Sequence, residues 1–126
     1  MMTMNSWQEM AKETAEKSKE RQKHGCVIVS GDYQHKLSKA VNVNLDNDFV
    51  RQYDPHKTLH AEAVAIMRLR GYRNLIGAEL FVCRVNHAGG LAMSKPCCMC
   101  EKIIRSFGIK RVHYTTEAGK WTSKDY

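Results

Sequence analysis

Several things are scarce in this sequence, and each shortage removes a class of protein. Apolar runs such as Cys26-Val27-Ile28-Val29 and Leu80-Phe81-Val82-Cys83 stop after four residues. A membrane helix needs roughly 20, so no membrane partner is expected. Residues 1–8 lack a basic start followed by an apolar block, so no secretory signal is read and the expected address is the cytoplasm. There are only two prolines, and no internal repeat or low-complexity tract interrupts the chain. The five cysteines are an odd number. Without an export signal, they favour reduced thiols and metal binding over a disulfide framework.

What is present fits one folded domain over residues 1–126, with a mass of 14.4 kDa. Hydrophobic residues make up 43% and charged residues 26%, ordinary for a soluble globular protein. The net charge of +7 and pI near 9.3 suit an anionic partner, either a phosphorylated small molecule or a nucleic acid, without requiring one.

Ser6-Trp7-Gln8-Glu9 has the form of a capping box and predicts a helix over residues 6–22, ended by His24-Gly25. Trp7, Met10, Ala11, Thr14, Ala15 and Ser18 form its apolar stripe. Strands are expected over residues 26–30 and 36–44, joined as a hairpin through Gly31-Asp32. Residues 45–57, with Asp46, Asn47, Asp48 and Pro55, read as a loop. A second helix is expected over 59–70 with Gly71 as its stop, then a strand over 79–85 and a loop over 86–94. Pro96-Cys97 opens a third helix to about residue 107, and a strand follows over 109–115. This order predicts a sheet with helices on both faces. The tail, 116–126, is too short for a parallel crossover. Any fifth strand, placed at 120–123, must turn back antiparallel to the fourth.

Two motifs carry chemistry. His60-Ala61-Glu62 and Pro96-Cys97-Cys98-Met99-Cys100 each fall at an expected helix start. Cys97 and Cys100 are three apart, so on a helix they share a face and can grip one ion. A helix N-terminus favours thiolates. One imidazole and two thiolates supply three zinc ligands and leave a tetrahedral ion one open position. Glu62 is not needed as a ligand and can carry protons. The alternative, a structural zinc site, wants four protein ligands. His56 is the nearest fourth, but Pro55 argues against a helix carrying both histidines. Cys98 would point away from the metal into packing. Cys26 and Cys83 read as small core residues, and His113 as a hydrogen-bonded structural histidine. His24, His35 and His87 lack a partner at metal spacing. Trp121 and Tyr126 either stack on a base or simply pack.

The paired motifs match the signature of zinc nucleobase deaminases. Together with Asn42-Val43-Asn44 at the end of the second strand, they make the chain resemble the cytidine/deoxycytidylate deaminase superfamily. The resemblance covers roughly residues 25–115, and residues 77–116 look like small stand-alone members such as those carried by bacteriophages. It implies a three-layer α/β/α fold with a mixed sheet of four to five strands. It also implies one zinc ion per chain on His60, Cys97 and Cys100, with Glu62 as the proton carrier. The backbone N–H of Ala61 and the carbonyl of Lys95 would orient the base. Asn44, or second to it Asn42, would touch the sugar, although either fits a loop-capping role as well. Self-association into a homo-oligomer is implied too. Val64 stands where deoxycytidylate deaminases often carry asparagine, and Lys95 where a small or acidic residue is common.

The leading expectation is hydrolytic deamination of a cytosine nucleoside or nucleotide to the uracil product. One alternative is a base within single-stranded DNA or RNA. Another is a non-catalytic, zinc-stabilised binding module.

Overall fold

The structure, a computed structural model, describes residues 3–44, 58–69 and 75–126. The expected loop over 45–57, His56 and the Gly71 stop lie outside the described residues. Helix α1 is Met4–Glu16. The strands β1 (Lys23–Val29), β2 (Lys36–Val41), β3 (Val43–Asn44) and β4 (Thr58–Leu59) follow. Then come α2 (Ala61–Met67), β5 (Glu79–Val85), β6 (Leu91–Ala92), α3 (Cys98–Ser106), β7 (Arg111–Thr115) and β8 (Trp121–Asp125). No helix among the described residues is long and apolar enough to cross a membrane.

The main sheet runs β2-β1-β5-β7-β8, with β6 added to β5. It therefore has six strands where four to five are expected. β5 and β7 are parallel, and β8 returns antiparallel to β7, as the short tail requires. α1 covers one face, where Trp7, Ala11 and Ala15 pack on Val27, Val29, Phe81 and Cys83. The other face holds Cys26, Ile28, Leu80 and Val82 against Ala61, Ala65 and Ile66 of α2 and Ile104 of α3.

Five local expectations are corrected. The capping box exists one turn earlier: Thr3 Oγ1 accepts the Ser6 N–H at 3.3 Å while Ser6 Oγ accepts the Thr3 N–H at 3.4 Å. α1 stops at Glu16, well short of residue 22, because Ser18 turns its hydroxyl to Asn42 Oδ1 at 2.7 Å and its Oγ also takes the Glu20 N–H. His24-Gly25 does not end the helix but lies in β1. The second strand breaks at Asn42: β2 pairs with β1, while Val43 and Asn44 leave the sheet to pair with β4. Within the expected 86–94 loop, Asn86 Oδ1 takes the N–H groups of Ala88 and Gly90, folding a tight turn that lays β6 on β5.

The tail packs. Trp121 meets Phe81 edge-on at 6.2 Å, on the α1 side, and Tyr126 lies under Arg105 and Lys124. On that same α1 side Glu79, 1% exposed, accepts hydrogen bonds from Tyr33 Oη at 2.5 Å and His113 Nε2 at 2.7 Å. His113 is thus the hydrogen-bonded histidine expected.

Gly25 fixes the spacing of the α1 layer. A Cβ there would lie 2.3 Å from Ala15 N and 2.7 Å from Ala11 O, both backbone atoms of α1. No rotamer change relieves such a clash, so Gly25→Ala should destabilise the protein by about 3 kcal/mol. Urea denaturation measures this, and an unchanged midpoint would contradict the close approach.

Candidate metal centre and active-site cavity

His60 is the last extended residue before α2 (φ −68°, ψ 147°), and its carbonyl accepts the Val64 N–H at 3.1 Å. The β3–β4 ladder delivers the chain to this point. Two contacts clamp α2 on β2. Ser38 Oγ donates to Ala65 O at 2.8 Å, and Arg68 Nη1 donates to Lys39 O at 2.7 Å. Cys97 is likewise the residue that caps α3 (φ −70°, ψ 168°), its carbonyl accepting the Glu101 N–H at 2.9 Å. The approach to Cys97 is held by Ser94. Its N–H donates to Thr115 O at 2.9 Å, and its hydroxyl donates to Val82 O at 2.8 Å.

These two helix starts bring His60 Nδ1 to 3.3 Å from Cys100 Sγ and 3.7 Å from Cys97 Sγ. All three donor atoms lie within 4.8 Å of one another, the one such cluster among the described residues. Zn–N and Zn–S bond lengths of roughly 2.0 and 2.3 Å set a nitrogen–sulfur edge of about 3.5 Å in a tetrahedron. The observed pair of distances brackets that edge, so the donor set fits one zinc ion. Cys98 and Met99 are exposed and take no part. The expectation that Cys98 packs is therefore corrected, because the first turn of α3 turns that side chain to solvent.

Glu62, the second residue of α2, is 4% exposed. Burial raises its carboxyl above the usual carboxylate range, against the opposing pull of its own backbone N–H, His60 and the Cys100 thiol. Burial also pushes the Cys100 thiol far up, reinforced by the negative charge of Glu62 and Cys97. This reverses the expected lowering by the helix N-terminus. Without a metal, desolvation outweighs the helix dipole at this position, so a bound cation must displace the thiol proton. Cys26 is a buried core thiol whose pKa is pushed up by burial and by the negative charge of Glu62 and Cys100.

A cavity of about 570 Å³ opens on the cluster, lined by His60, Glu62 and Cys97 together with Ser94, Lys95 and Asn42. That volume suits a nucleoside-sized ligand. Of the residues expected from sequence, Lys95 lines the cavity and Ala61 is the buried first residue of α2. Asn42 lines it too, whereas Asn44 is placed by its pairing with Thr58 and its side chain lies outside those described. Arg21 and His24 also line the wall and were not foreseen. The signal for His24 is strand alternation, legible only once β1 is known to begin at Lys23.

The sequence matches, over residues 1–116, the family described as the cytidine and deoxycytidylate deaminase zinc-binding region. The chain belongs to this zinc-binding deaminase family. Among solved structures it is similar to a cytidine deaminase from Burkholderia pseudomallei, with 21% identity and a TM-score of 0.71, covering 98% of this chain and 93% of that one. It is also similar to the apo dCMP deaminase of cyanophage S-TIM5, with 22% identity and a TM-score of 0.65, covering 89% and 81%. Acinetobacter baumannii RibD matches at 19% identity and a TM-score of 0.53, covering 87% of this chain but 27% of that one. These likenesses establish the cytidine deaminase-like fold. No curated protein matches the sequence. A zinc-binding family and a fitting His/Cys/Cys cluster make this a single-zinc protein.

Zinc binding should be strongly pH-dependent. Each thiol proton displaced makes the affinity rise about tenfold per pH unit below the thiol pKa, and the raised Cys100 keeps that slope through neutrality. Competition with a chromophoric chelator between pH 6 and 8 measures it, and a flat profile would remove both Cys97 and Cys100 as ligands. His60→Ala should lower the zinc content of purified protein well below that of the wild type.

Proposed function

We propose that the protein is a zinc-dependent hydrolytic deaminase acting on a free cytosine nucleoside or nucleotide. The observation that carries this reading is a buried carboxyl, Glu62, lying beside the His60/Cys97/Cys100 donor cluster at a cavity of nucleoside size. His60, Cys97 and Cys100 hold the metal. When bound, zinc supplies a Lewis acid that makes water a usable nucleophile near neutral pH.

In this proposal the chain's own groups do the rest. Glu62 takes a proton from the attacking water and delivers it to the ring nitrogen of the base. The carbon–oxygen bond forms at the amine-bearing carbon; Glu62 then takes the remaining proton of the new hydroxyl and passes it to the amine, so that the carbon–nitrogen bond breaks, the hydroxyl becomes a carbonyl and ammonia leaves. A carboxyl raised toward neutrality by burial is suited to both transfers. The backbone N–H of Ala61 and the carbonyl of Lys95 orient the base, and Asn44 is the proposed sugar contact. Arg21 and Lys95 give the rim positive charge, which fits a phosphorylated substrate.

Glu62→Gln should keep zinc and lose turnover by about 10²- to 10⁴-fold, while retained activity would remove Glu62 from this role. Product mass spectrometry across nucleosides, nucleotides, single-stranded DNA and transfer RNA tests the substrate class. Conversion of a free nucleoside or nucleotide supports the reading, and conversion of oligonucleotides alone would overturn it.

A further inference from the structure

β1 sends alternate side chains to opposite faces of the sheet. Val27 and Val29 pack with Trp7 of α1, whereas Cys26 and Ile28 pack with Ala61, Ala65 and Ile66 of α2. His24, two residues before Cys26, therefore faces the α2 side, and it lines the same cavity as His60, Glu62 and Cys97. Asn42 stands in the same wall and is the more obvious polar contact for a ligand. Its carboxamide oxygen is already committed. Oδ1 accepts from Ser18 Oγ at 2.7 Å and from the His24 backbone N–H at 3.1 Å, and Nδ2 donates to the Gln22 carbonyl at 2.6 Å. A carboxamide oxygen has two lone pairs, so Asn42 has no acceptor left to offer.

His24 is differently placed. Burial brings its pKa down to about 4, helped by the nearby charge of Arg84 and by His60, so its imidazole is neutral at physiological pH. A neutral imidazole has one donor and one acceptor nitrogen. The Gln22 backbone beside the ring favours a proton on one nitrogen, which leaves the other as the acceptor. Arg84 is the cross-strand neighbour of His24, and its Nε is buried with no hydrogen-bond partner. With the base toward Glu62 as proposed above, the remaining lining includes His24 and Asn42, and a sugar hydroxyl is a donor in need of an acceptor.

We propose that the acceptor nitrogen of His24 receives the hydrogen bond of a sugar hydroxyl, making His24 the positioning residue that selects a hydroxyl-bearing nucleoside or nucleotide. The assignment rests on the nucleoside reading of the cavity given above. It goes beyond that reading because the residue does not belong to the motifs that identify the family.

The test is calorimetric binding of uridine 5′-monophosphate and uridine to the zinc-loaded protein, each in ribo, 2′-deoxy and 2′,3′-dideoxy form. Wild-type protein should bind the best hydroxyl-bearing form about 5- to 100-fold more tightly than the dideoxy form, the range for leaving one buried hydrogen-bonding group unpaired. His24→Phe should remove that preference while leaving dideoxy affinity and zinc content unchanged, and His24→Asn, which restores an acceptor, should recover part of it. The matching cytosine series should lose kcat/KM by the same factor. If His24→Phe fails to fold, His24→Leu carries the same comparison. Equal weakening of all forms, or a wild type indifferent to the hydroxyls, would overturn the assignment and leave the nucleoside reading standing. Protein that binds none of these ligands would overturn both.

Discussion

The metal centre depends on one topological constraint, the parallel relation of three strands. β1 is antiparallel to both β2 and β5, which makes β2 and β5 parallel to each other, and β5 is parallel to β7. Each parallel pair must be joined by a crossover containing a helix. α2 therefore starts beyond the carboxyl end of β2, and α3 starts beyond the carboxyl end of β5. Both starts fall at the same edge of the sheet, the edge at which open α/β sheets bind their ligands. His60 and Cys97 are the residues at those starts, so the 3.3 and 3.7 Å donor separations follow from the strand order.

The rest of the architecture holds those starts still. β6 occupies the edge of β5 beyond the end of β7, pairing Arg84 with Ala92 and Val85 with Leu91. The chain leaves β6 directly into Ser94, whose side chain and backbone join Val82 to Thr115 three residues before Cys97. On the other side, Ser38 and Arg68 fasten α2 to β2. The break at Asn42 serves the same end. By spending its carboxamide on Ser18, His24 and Gln22, Asn42 ties the end of β2 to the segment after α1 and builds the cavity wall facing the metal donors.

The metal donors were legible in the sequence because their chemistry requires certain side chains at fixed spacing, and spacing survives small errors in element boundaries. His60 and Cys97 proved to be capping residues one step outside their helices, which leaves their convergence unchanged. The antiparallel return of β8 was legible for a similar reason, since a short tail leaves no other option. The features that stayed hidden depend on partners distant in sequence. Nothing local marks β6, a two-residue strand that exists because β5 offers it an edge. Nothing local ends α1 at Glu16, because Ser18 is drawn away by Asn42, 24 positions on. His24 reads as a terminator because a glycine often ends a helix, whereas its place in the cavity wall follows from its position in β1.

The two buried glutamates show why motif and environment must be weighed together. Glu79 is 1% exposed and Glu62 4%, so burial alone does not separate them. Glu79 is surrounded by groups that answer its charge: Tyr33 Oη and His113 Nε2 donate to it, and Lys110 and Arg111 stand at 3.8 and 3.7 Å. Such a carboxylate acts as a fastener between β5, β7 and the turn at Tyr33. Glu62 has no lysine or arginine paired with it among the described residues, and burial is the dominant influence on its carboxyl. A buried acid whose charge is only partly answered destabilises the fold unless something else gains from it. At Glu62 the carboxyl sits beside three donors arranged for a cation, which is where the proposed proton transfer would use it. The environment of Glu62, more than its place in a tripeptide, marks this edge of the sheet as a site of chemistry.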